Sequence, residues 1–184
     1  MDIDWNKQWA LHAPNFQNGF AYVKPWGFRL QPGPGFGDLS HPTTRLMLEL
    51  MPKKINLPVV DIGCGSGVLA LAAHFAGAPK VYGIDIDQDA IVHAQDNAKR
   101  NQANIFFGKK LPCIPKRCLV LMNMISSEQR VAWEAHKALH SSVEIMIVSG
   151  FPTQEQVDVS YGELTQKIEL EGWIGMKYKK KEQP

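Results

Sequence analysis

The chain has 184 residues, a length typical of a single domain. Hydrophobic residues make up 45% and charged residues 21%, which excludes a disordered tail, a collagen-like chain and a disulfide-stapled miniprotein. Lys and Arg total 20 against 18 for Asp and Glu, and the net charge of +2 is too small to predict nucleic-acid binding from bulk electrostatics.

The cysteines and the N-terminus indicate the compartment. Cys64, Cys113 and Cys118 are scattered and odd in number, so they form neither a disulfide framework nor a paired zinc pattern. The first residues are acidic and lack the layout of a signal peptide, and the most apolar stretch is interrupted by Asp61 and several glycines. We therefore expect a cytoplasmic protein with reduced thiols, no membrane span and no metal site.

The first part of the chain differs in amino-acid composition from the rest. Residues 1–44 are predicted to be a loop-rich lead-in, and residues 45–184 the core of one compact domain. The segment from Pro25 to Gly37 is so rich in proline and glycine that it predicts a long loop without regular structure. Long loops within compact domains are often functional.

From residue 43 onwards, helical and strand patterns alternate. The predicted helices are Thr43–Met51, Val68–Ala76, Asp87–Asn101, Glu128–Leu139 and Gln154–Tyr161. The predicted strands are Leu57–Ile62, Val81–Ile84, Asn104–Phe107, Cys118–Met122, Val143–Val148, Leu164–Leu170 and Trp173–Tyr178. This alternation predicts a three-layer α/β fold with seven strands, mostly parallel and closed by a C-terminal antiparallel hairpin.

A glycine-rich turn after the first predicted strand of the core is the clearest local signal. Gly63, Gly65 and Gly67 alternate between a strand and a helix, where glycine permits positive φ and close approach of a ligand. Asp85 ends the next strand, about 20 residues further on, where a carboxylate is placed to accept hydrogen bonds from ribose hydroxyls. The pattern predicts a nucleoside-containing ligand.

Two ligand classes compete for this turn. Dinucleotides prefer Gly-x-Gly-x-x-Gly, whereas the spacing here is Gly-x-Gly-x-Gly, with Asp61 two residues ahead of Gly63. A carboxylate suits the cationic amino-acid part of S-adenosylmethionine better than a pyrophosphate. We therefore favour S-adenosylmethionine and keep a dinucleotide oxidoreductase as a weaker alternative.

Three further segments carry a narrower likeness. They are the run from Leu30 to Thr44, which ends in His-Pro-Thr-Thr, the triplet Asn123-Met124-Ile125, and Val148-Ser149-Gly150. With the glycine turn, they resemble class I S-adenosylmethionine-dependent methyltransferases, and in particular the PrmA type, which methylates a protein of the large ribosomal subunit. The resemblance extends from about Trp5 to Lys179 and implies a Rossmann-like methyltransferase sheet.

The resemblance also implies which residues form the site. The expected cofactor-binding residues are Phe36, Thr43, Thr44, Asp61, Gly63, Gly65, Gly67, Asp85, Ile86 and Asn123. Thr43 and Thr44 are also read as helix N-caps, and Asp61 either orients the cofactor ammonium or caps N–H groups of the loop. Asn123 is the expected catalytic residue, because its amide oxygen can hold the hydrogens of an acceptor amine and aim the lone pair. His41 is read as a residue that fixes the loop or contacts the cofactor, in preference to a catalytic base.

The chain departs from the family pattern in two places. Asp38-Leu39 replaces Thr-Gly ahead of His-Pro-Thr-Thr, and Leu39 is not expected to adopt a glycine-only backbone. Family members also carry an N-terminal docking domain, and this chain starts where its linker would end, so the acceptor is not fixed by the resemblance.

The expected function is N-methylation of a protein amine, a lysine or an N-terminus, on a protein such as a ribosomal protein. The alternatives are a small-molecule methyltransferase and a cofactor-binding protein that has lost transferase activity. The lysines at positions 177 and 179–181 are read as a solvated tail that only weakly suggests nucleic-acid contact.

Overall fold

The computed structural model describes residues 15–24, 26–155, 157 and 161–181. Its elements, in chain order, are the strands β1 (Phe16–Gln17), β2 (Phe20–Val23) and β3 (Phe28–Leu30), the helix α1 (Pro42–Leu50), β4 (Val59–Ile62), α2 (Val68–Phe75), β5 (Val81–Ile84), α3 (Gln88–Arg100), β6 (Phe106–Gly108), β7 (Cys118–Asn123), α4 (Ser126–Ala135), a 3-10 helix (Lys137–Ser142), β8 (Val143–Pro152), β9 (Glu163–Leu170) and β10 (Trp173–Lys179).

Seven strands form the main sheet, in the order β6-β5-β4-β7-β8-β10-β9. The first five strands in this order, β6-β5-β4-β7-β8, pair in parallel. β10 is antiparallel to both of its neighbours, β8 and β9. This arrangement confirms the predicted seven-stranded, mostly parallel sheet with a C-terminal hairpin.

The central strands are apolar because helices and loops cover both faces of the sheet. Every residue of β4 and β5 is buried, and so are the first five of β7. Parallel strands place their carboxyl ends at one edge, which here carries the turn after β4, Asp85 after β5 and Asn123 at the end of β7. Ligands of open α/β sheets bind at that edge.

Two helix starts show how the sequence fixes the boundaries. His41 is the N-cap of α1, accepting from the Thr43 N–H, and Pro42 occupies the first turn, where its missing N–H costs nothing. Thr43 and Thr44 therefore lie inside the helix, which corrects their reading as caps. Asp87 caps α3 by accepting from the Asp89 N–H.

The lead-in contains regular structure that the sequence did not predict. β1, β2 and β3 form a separate antiparallel sheet, and β3 lies within the stretch predicted to be loop. Ala21, Val23, Phe28 and Leu30 are buried in the main core. Pairing with β2 and alternate burial along β3 stabilise a strand despite the flanking glycines and prolines. The division at residue 44 stays a prediction.

Two predicted elements in the second half differ in extent. α4 begins at Ser126 and ends at Ala135, where the His136 Nδ1 lies 2.7 Å from the Ala132 carbonyl oxygen and competes for a helix acceptor. The chain then continues as a 3-10 helix to Ser142. The predicted helix Gln154–Tyr161 falls partly on residues 156 and 158–160, outside the described part, while Gln154 and Glu155 lie in a turn and a bend.

The C-terminal lysines begin within the sheet. Lys177 belongs to β10, and its Nζ lies 3.5 Å from the Leu50 carbonyl oxygen. Lys180 donates to the Ser141 carbonyl oxygen at 3.0 Å and pairs with Glu144. These contacts correct the reading of the run as a frayed tail; the suggestion of nucleic-acid contact stays a prediction. In the described part of the chain, no helix has the length and apolarity to span a bilayer.

Candidate cofactor and acceptor site

The turn after β4 adopts the backbone that its glycines predicted. Gly63, Gly65 and Gly67 have φ angles of 73°, 52° and 79°, all in the left-handed region. At Gly65 a Cβ would lie 2.5 Å from the Phe36 carbonyl oxygen, so a side chain there would also displace the neighbouring segment. The turn leads into α2, whose N-cap is Gly67.

Asp85 is joined to this turn. Its Oδ2 accepts from the Gly65 N–H and its Oδ1 from the Asp87 N–H, both at 3.0 Å. A carboxylate has about four lone-pair directions, so these bonds leave capacity for two ligand hydroxyls. The next residue, Ile86, is 92% exposed, which leaves a large apolar side chain in water beside that carboxylate. The structure therefore brings the predicted Gly65, Asp85 and Ile86 together.

Asp61 lies beneath the turn. Its side chain is buried, and its Oδ2 accepts from the Ala70 N–H at 3.1 Å, in the first turn of α2. Burial, more than the nearby Asp85 charge, raises the pKa of Asp61 to about 7. Its Oδ1 is buried and has no hydrogen-bond partner among the described residues. The group that Asp61 caps is thus an N–H of the helix that follows the loop, whereas the expected partners were N–H groups of the loop itself. The contact with an ammonium stays a prediction.

Residues 29–37, here called the covering segment, lie across the turn. The Ser66 N–H donates to the Phe36 carbonyl oxygen at 2.8 Å, and the Ser66 Oγ donates to the Gly37 carbonyl oxygen at 3.1 Å. A Cβ on Gly35 would lie 2.5 Å from the Gly65 carbonyl carbon, so the two backbones touch. The Phe36 side chain stays 53% exposed at the rim of the site.

Leu39 corrects an expectation. It has a φ of 73°, although a leucine was not expected to adopt a glycine-only backbone. Its side chain is buried in the main core, and this burial offsets a strain of about 1–2 kcal/mol. Asp38 accepts from the Ser40 N–H at 3.0 Å and from its hydroxyl, so the Asp38 carboxylate folds back on its own turn.

A polar stripe, made of His93 and Asn97 on α3 and Asn101 at its C-cap, holds the covering segment. Asn97 is buried; its Oδ1 accepts from the Gln31 N–H at 3.0 Å, and its Nδ2 donates to the Ser66 carbonyl oxygen at 3.1 Å. Asn101 bonds the backbone N–H and carbonyl oxygen of Arg29. These residues were not predicted from the sequence. The available signal was three polar side chains spaced four residues apart, which lie on one face of a helix.

Asn123 lies at the carboxyl end of β7. Its Nδ2 is 3.5 Å from the Thr44 Oγ1, a long contact that joins two of the predicted residues. Its Oδ1 is buried and has no hydrogen-bond partner among the described residues. A buried acceptor of this kind costs free energy until a donor reaches it. The amide oxygen is therefore suited to receive an N–H from outside the chain.

An aromatic row lies at the start of α1. The His41 ring packs edge-to-face on Phe36, with centroids 5.4 Å apart, and on Trp173, 4.8 Å apart. Burial, and then the Arg45 charge, lowers the pKa of His41. Its Nδ1 lies 2.8 Å from the Thr43 Oγ1, so His41 fixes the helix start, as predicted, and Thr43 is engaged there.

Gln129 is a second group that the sequence analysis missed. It is buried, and its Nε2 donates at 2.7 Å to the carbonyl oxygens of both Met124 and Ser149. Met124 follows Asn123 in the chain, and Ser149 lies opposite Asn123 on β8. Gln129 thereby fixes two of the segments that carry the family resemblance, Asn123-Met124-Ile125 and Val148-Ser149-Gly150. Among the described residues, no group of three His, Cys, Asp or Glu side chains is arranged to hold a metal ion.

This geometry agrees with one protein family. The model of the family described as ribosomal protein L11 methyltransferase (PrmA) matches residues 24–181. The chain belongs to this family. The match spans the covering segment, the glycine turn and Asn123, and it confirms the resemblance inferred from the motifs.

Relatives of the PrmA family are similar over most of this chain. The chain is 32% identical to the ribosomal protein L11 methyltransferase of Photobacterium profundum, covering 86% of this chain and 60% of the relative. It is 35% identical to that of Chromobacterium violaceum, covering 92% and 55%. The chain thus spans somewhat more than half the length of these curated relatives.

Solved structures agree on the fold. A ribosomal protein L11 methylase from Lactobacillus delbrueckii subsp. bulgaricus superposes with a TM-score of 0.62 at 27% identity, covering 83% of this chain and 84% of that one. An RNA methyltransferase from Salinibacter ruber, solved with S-adenosyl-L-homocysteine, has a TM-score of 0.56 at 21% identity, covering 83% and 96%. The second likeness concerns the fold alone.

Proposed function

We propose that this chain is an S-adenosylmethionine-dependent methyltransferase that transfers a methyl group to an amine of a ribosomal protein of the L11 type. Membership of the PrmA family supports the reaction class. The observation that carries the proposal is the bond from the Gly65 N–H to Asp85, which joins the left-handed glycine turn to the acid of the next strand. This unit suits a nucleoside bound at the carboxyl edge.

The residues at the edge fit S-adenosylmethionine. Asp85 has spare lone pairs for ribose hydroxyls, and the exposed Ile86 side chain offers an apolar surface to an adenine ring. The unpartnered Oδ1 of Asp61 provides a carboxylate oxygen for a cationic group. When bound, S-adenosylmethionine supplies an electrophilic methyl group. Phe36, Thr43 and Thr44 complete the proposed cofactor contacts, with Asn123 at the boundary to the acceptor.

Asn123 is the proposed acceptor-orienting residue. Its free amide oxygen accepts a hydrogen of the incoming amine, which directs the nitrogen lone pair away from the amide. Alignment is the main demand of a direct displacement, because an uncharged amine needs no strong base. Gln129 keeps the neighbouring backbone in place for this contact.

The test is methyl transfer with a defined acceptor. The chain is incubated with methyl-labelled S-adenosylmethionine and purified bacterial ribosomal protein L11, and the products are resolved by intact-protein mass spectrometry. A parallel reaction with a protein-free cell extract reports small-molecule acceptors. We expect label in the ribosomal protein, and its loss in Asn123→Ala but not in the surface control Asn104→Ala.

Three outcomes would contradict the proposal. Label in the small-molecule fraction alone would favour the small-molecule alternative. Cofactor binding by calorimetry with no transfer to any acceptor would favour a binding protein without transferase activity. Failure to bind S-adenosyl-L-homocysteine would reject the cofactor assignment itself.

A further inference from the structure

His93 bonds both ends of the turn at the centre of the covering segment. The Gly35 N–H donates to the His93 Nδ1 at 3.1 Å, and the Nε2 lies 2.7 Å from the Gln31 carbonyl oxygen. Because Nδ1 accepts, the ring proton is on Nε2 and is donated to Gln31. One neutral imidazole thus provides the acceptor for one end of the turn and the donor for the other.

Asn97 also bonds the Gln31 end of this turn, through the Gln31 N–H at 3.0 Å and the Gln31 carbonyl oxygen at 3.3 Å, but the residues inside the turn offer few backbone donors. Two of the three residues between Gln31 and Gly35 are prolines, which lack a backbone N–H. A Cβ on the third, Gly33, would lie 2.7 Å from the His93 Nε2, so the imidazole fills the inside of the turn. Removing the ring would leave both a space and an unbonded N–H.

The position of this turn is transmitted to the glycine turn after β4. Gly35 touches the Gly65 backbone, and the next residue, Phe36, accepts from the Ser66 N–H. The Gly65 N–H in turn holds Asp85. A shift of Gly35 would therefore move the backbone that orients the proposed ribose-binding carboxylate.

We propose that His93 is a positioning residue of the cofactor site. Its neutral imidazole holds the covering segment in the position, relative to the glycine turn, that S-adenosylmethionine binding requires. The inference rests on the cofactor part of the proposed function. The hydrogen bonds of His93 go to Gln31, Gly35 and Asn97 and not to Asn123, so its loss weakens cofactor binding and raises the KM for the cofactor while kcat at saturation is maintained.

The charged groups around the ring are few. Residues 31–37 contain no ionisable side chain. On α3, Asp89 and Asp96 lie one turn before and after His93, and Asp85 is already bonded to Gly65 and Asp87. Arg29, at the far end of the segment, stacks on Phe20. Among the described residues, no carboxylate forms an ion pair with His93.

The first experiment is calorimetry with S-adenosyl-L-homocysteine at pH 8. His93→Ala is expected to bind about 10-fold more weakly, as for one lost hydrogen bond to a buried partner. His93→Gln is expected to stay within about 3-fold of the parent, because its amide offers an acceptor to Gly35 and a donor to Gln31. His74→Gln, on α2 and outside this network, is the matched control and should leave the affinity unchanged.

Steady-state kinetics separates positioning from a merely structural role. Folded His93→Ala is expected to raise the KM for S-adenosylmethionine about 10-fold while kcat at saturating cofactor is maintained. His93→Gln is expected to restore the KM to within about 3-fold of the parent. A merely structural loss would lower kcat through the folded fraction and leave the KM unchanged.

Each outcome bears on the inference. An unchanged affinity in folded His93→Ala, or a lower kcat with an unchanged KM, would overturn it while leaving the proposed function intact. A parent that does not bind S-adenosyl-L-homocysteine would overturn both. If His93→Ala does not fold, Gly33→Ala serves instead, because its methyl group displaces the ring and should weaken binding in the same way.

Discussion

At the scale of single residues, Asp61 links the stability of the protein to pH. Burial raises the pKa of Asp61 to about 7, from 3.8 in the unfolded chain. Between about pH 4 and 7 the folded state therefore holds a proton that the unfolded state has lost. The contribution of this group to the free energy of unfolding falls as pH rises through that window, by at most about 1.4 kcal/mol per pH unit, and is constant above it.

Asp61→Asn removes this titration while keeping an acceptor for the Ala70 N–H. We expect the stability of Asp61→Asn relative to the parent to rise from pH 4 to 7 and then to level off. Urea denaturation at pH 5, 6, 7 and 8 measures it, with the exposed Asp96→Asn as control. Parallel pH curves for parent and Asp61→Asn would show that Asp61 is not titrating in this window.

Asn123 gives a prediction about rate. Replacing Asn123 by Ala removes the amide oxygen that we propose contacts the acceptor amine. The substitution leaves the glycine turn and Asp85 unchanged. We expect kcat to fall about 100-fold, the order of loss that misalignment causes, with the Kd for S-adenosyl-L-homocysteine within 3-fold of the parent. Steady-state kinetics measures kcat, and calorimetry measures the Kd. A large loss of cofactor affinity would instead assign Asn123 to cofactor binding.

At the scale of elements, α3 and α4 each hold the site through a buried amide. Asn97 on α3 joins the covering segment to the glycine turn, and Gln129 on α4 joins the ends of β7 and β8. Both amides bond backbone groups far away in sequence. Backbone groups need hydrogen-bond partners when they are buried. Each amide supplies such partners to backbone that lies outside helices or at strand ends.

Replacing Gln129→Leu leaves two buried carbonyl oxygens without their donor. We expect the free energy of unfolding to fall by about 2–4 kcal/mol, since each unsatisfied group costs about 1–3 kcal/mol. Chemical denaturation measures it, with the exposed Gln95→Leu on α3 as control. A loss no larger than that of the control would mean that water replaces the amide.

The elements that sequence reasoning predicted well are those with strong periodicity. Continuous apolar runs mark β4, β5 and β7, and the alternating glycines mark the turn, because local composition alone demands those conformations. β3 was missed because a partner strand and Asn101 stabilise it from a distance. His93, Asn97 and Gln129 were missed for the same reason: their role depends on which backbone the fold brings to them. Leu39 was misjudged because its burial, invisible locally, offsets the strain.

At the scale of the whole molecule, β10 completes the sheet. It lies between β8 and β9, so the last strand of the chain holds β9 in place. Its Ile174, Met176 and Tyr178 are buried. By contrast, the ion pairs of Arg117 and Lys180 with Glu144 involve half-exposed side chains, and we expect each to contribute less than about 1 kcal/mol.

Truncation before Trp173 should therefore abolish cooperative unfolding. Losing three buried side chains removes about 5 kcal/mol of burial, comparable to the whole stability of a domain, and exposes the edge of β8. Circular dichroism melts and a dye that binds exposed apolar surface measure the effect. Truncation after Lys181 is the control and should melt like the parent; a cooperative melt of the shorter chain would contradict the expectation.

The polar stripe has a consequence for synthesis on the ribosome. The covering segment leaves the exit tunnel before α3 does, yet Gln31 bonds to Asn97, which is 66 residues later. At about 5–20 residues per second, the segment waits roughly 3–13 s for its partners. During that interval Leu30, which is buried in the folded protein, has no complete core to enter. A nascent chain stalled before α3 emerges is therefore expected to be cut by protease in residues 29–37, and one stalled after it to be protected.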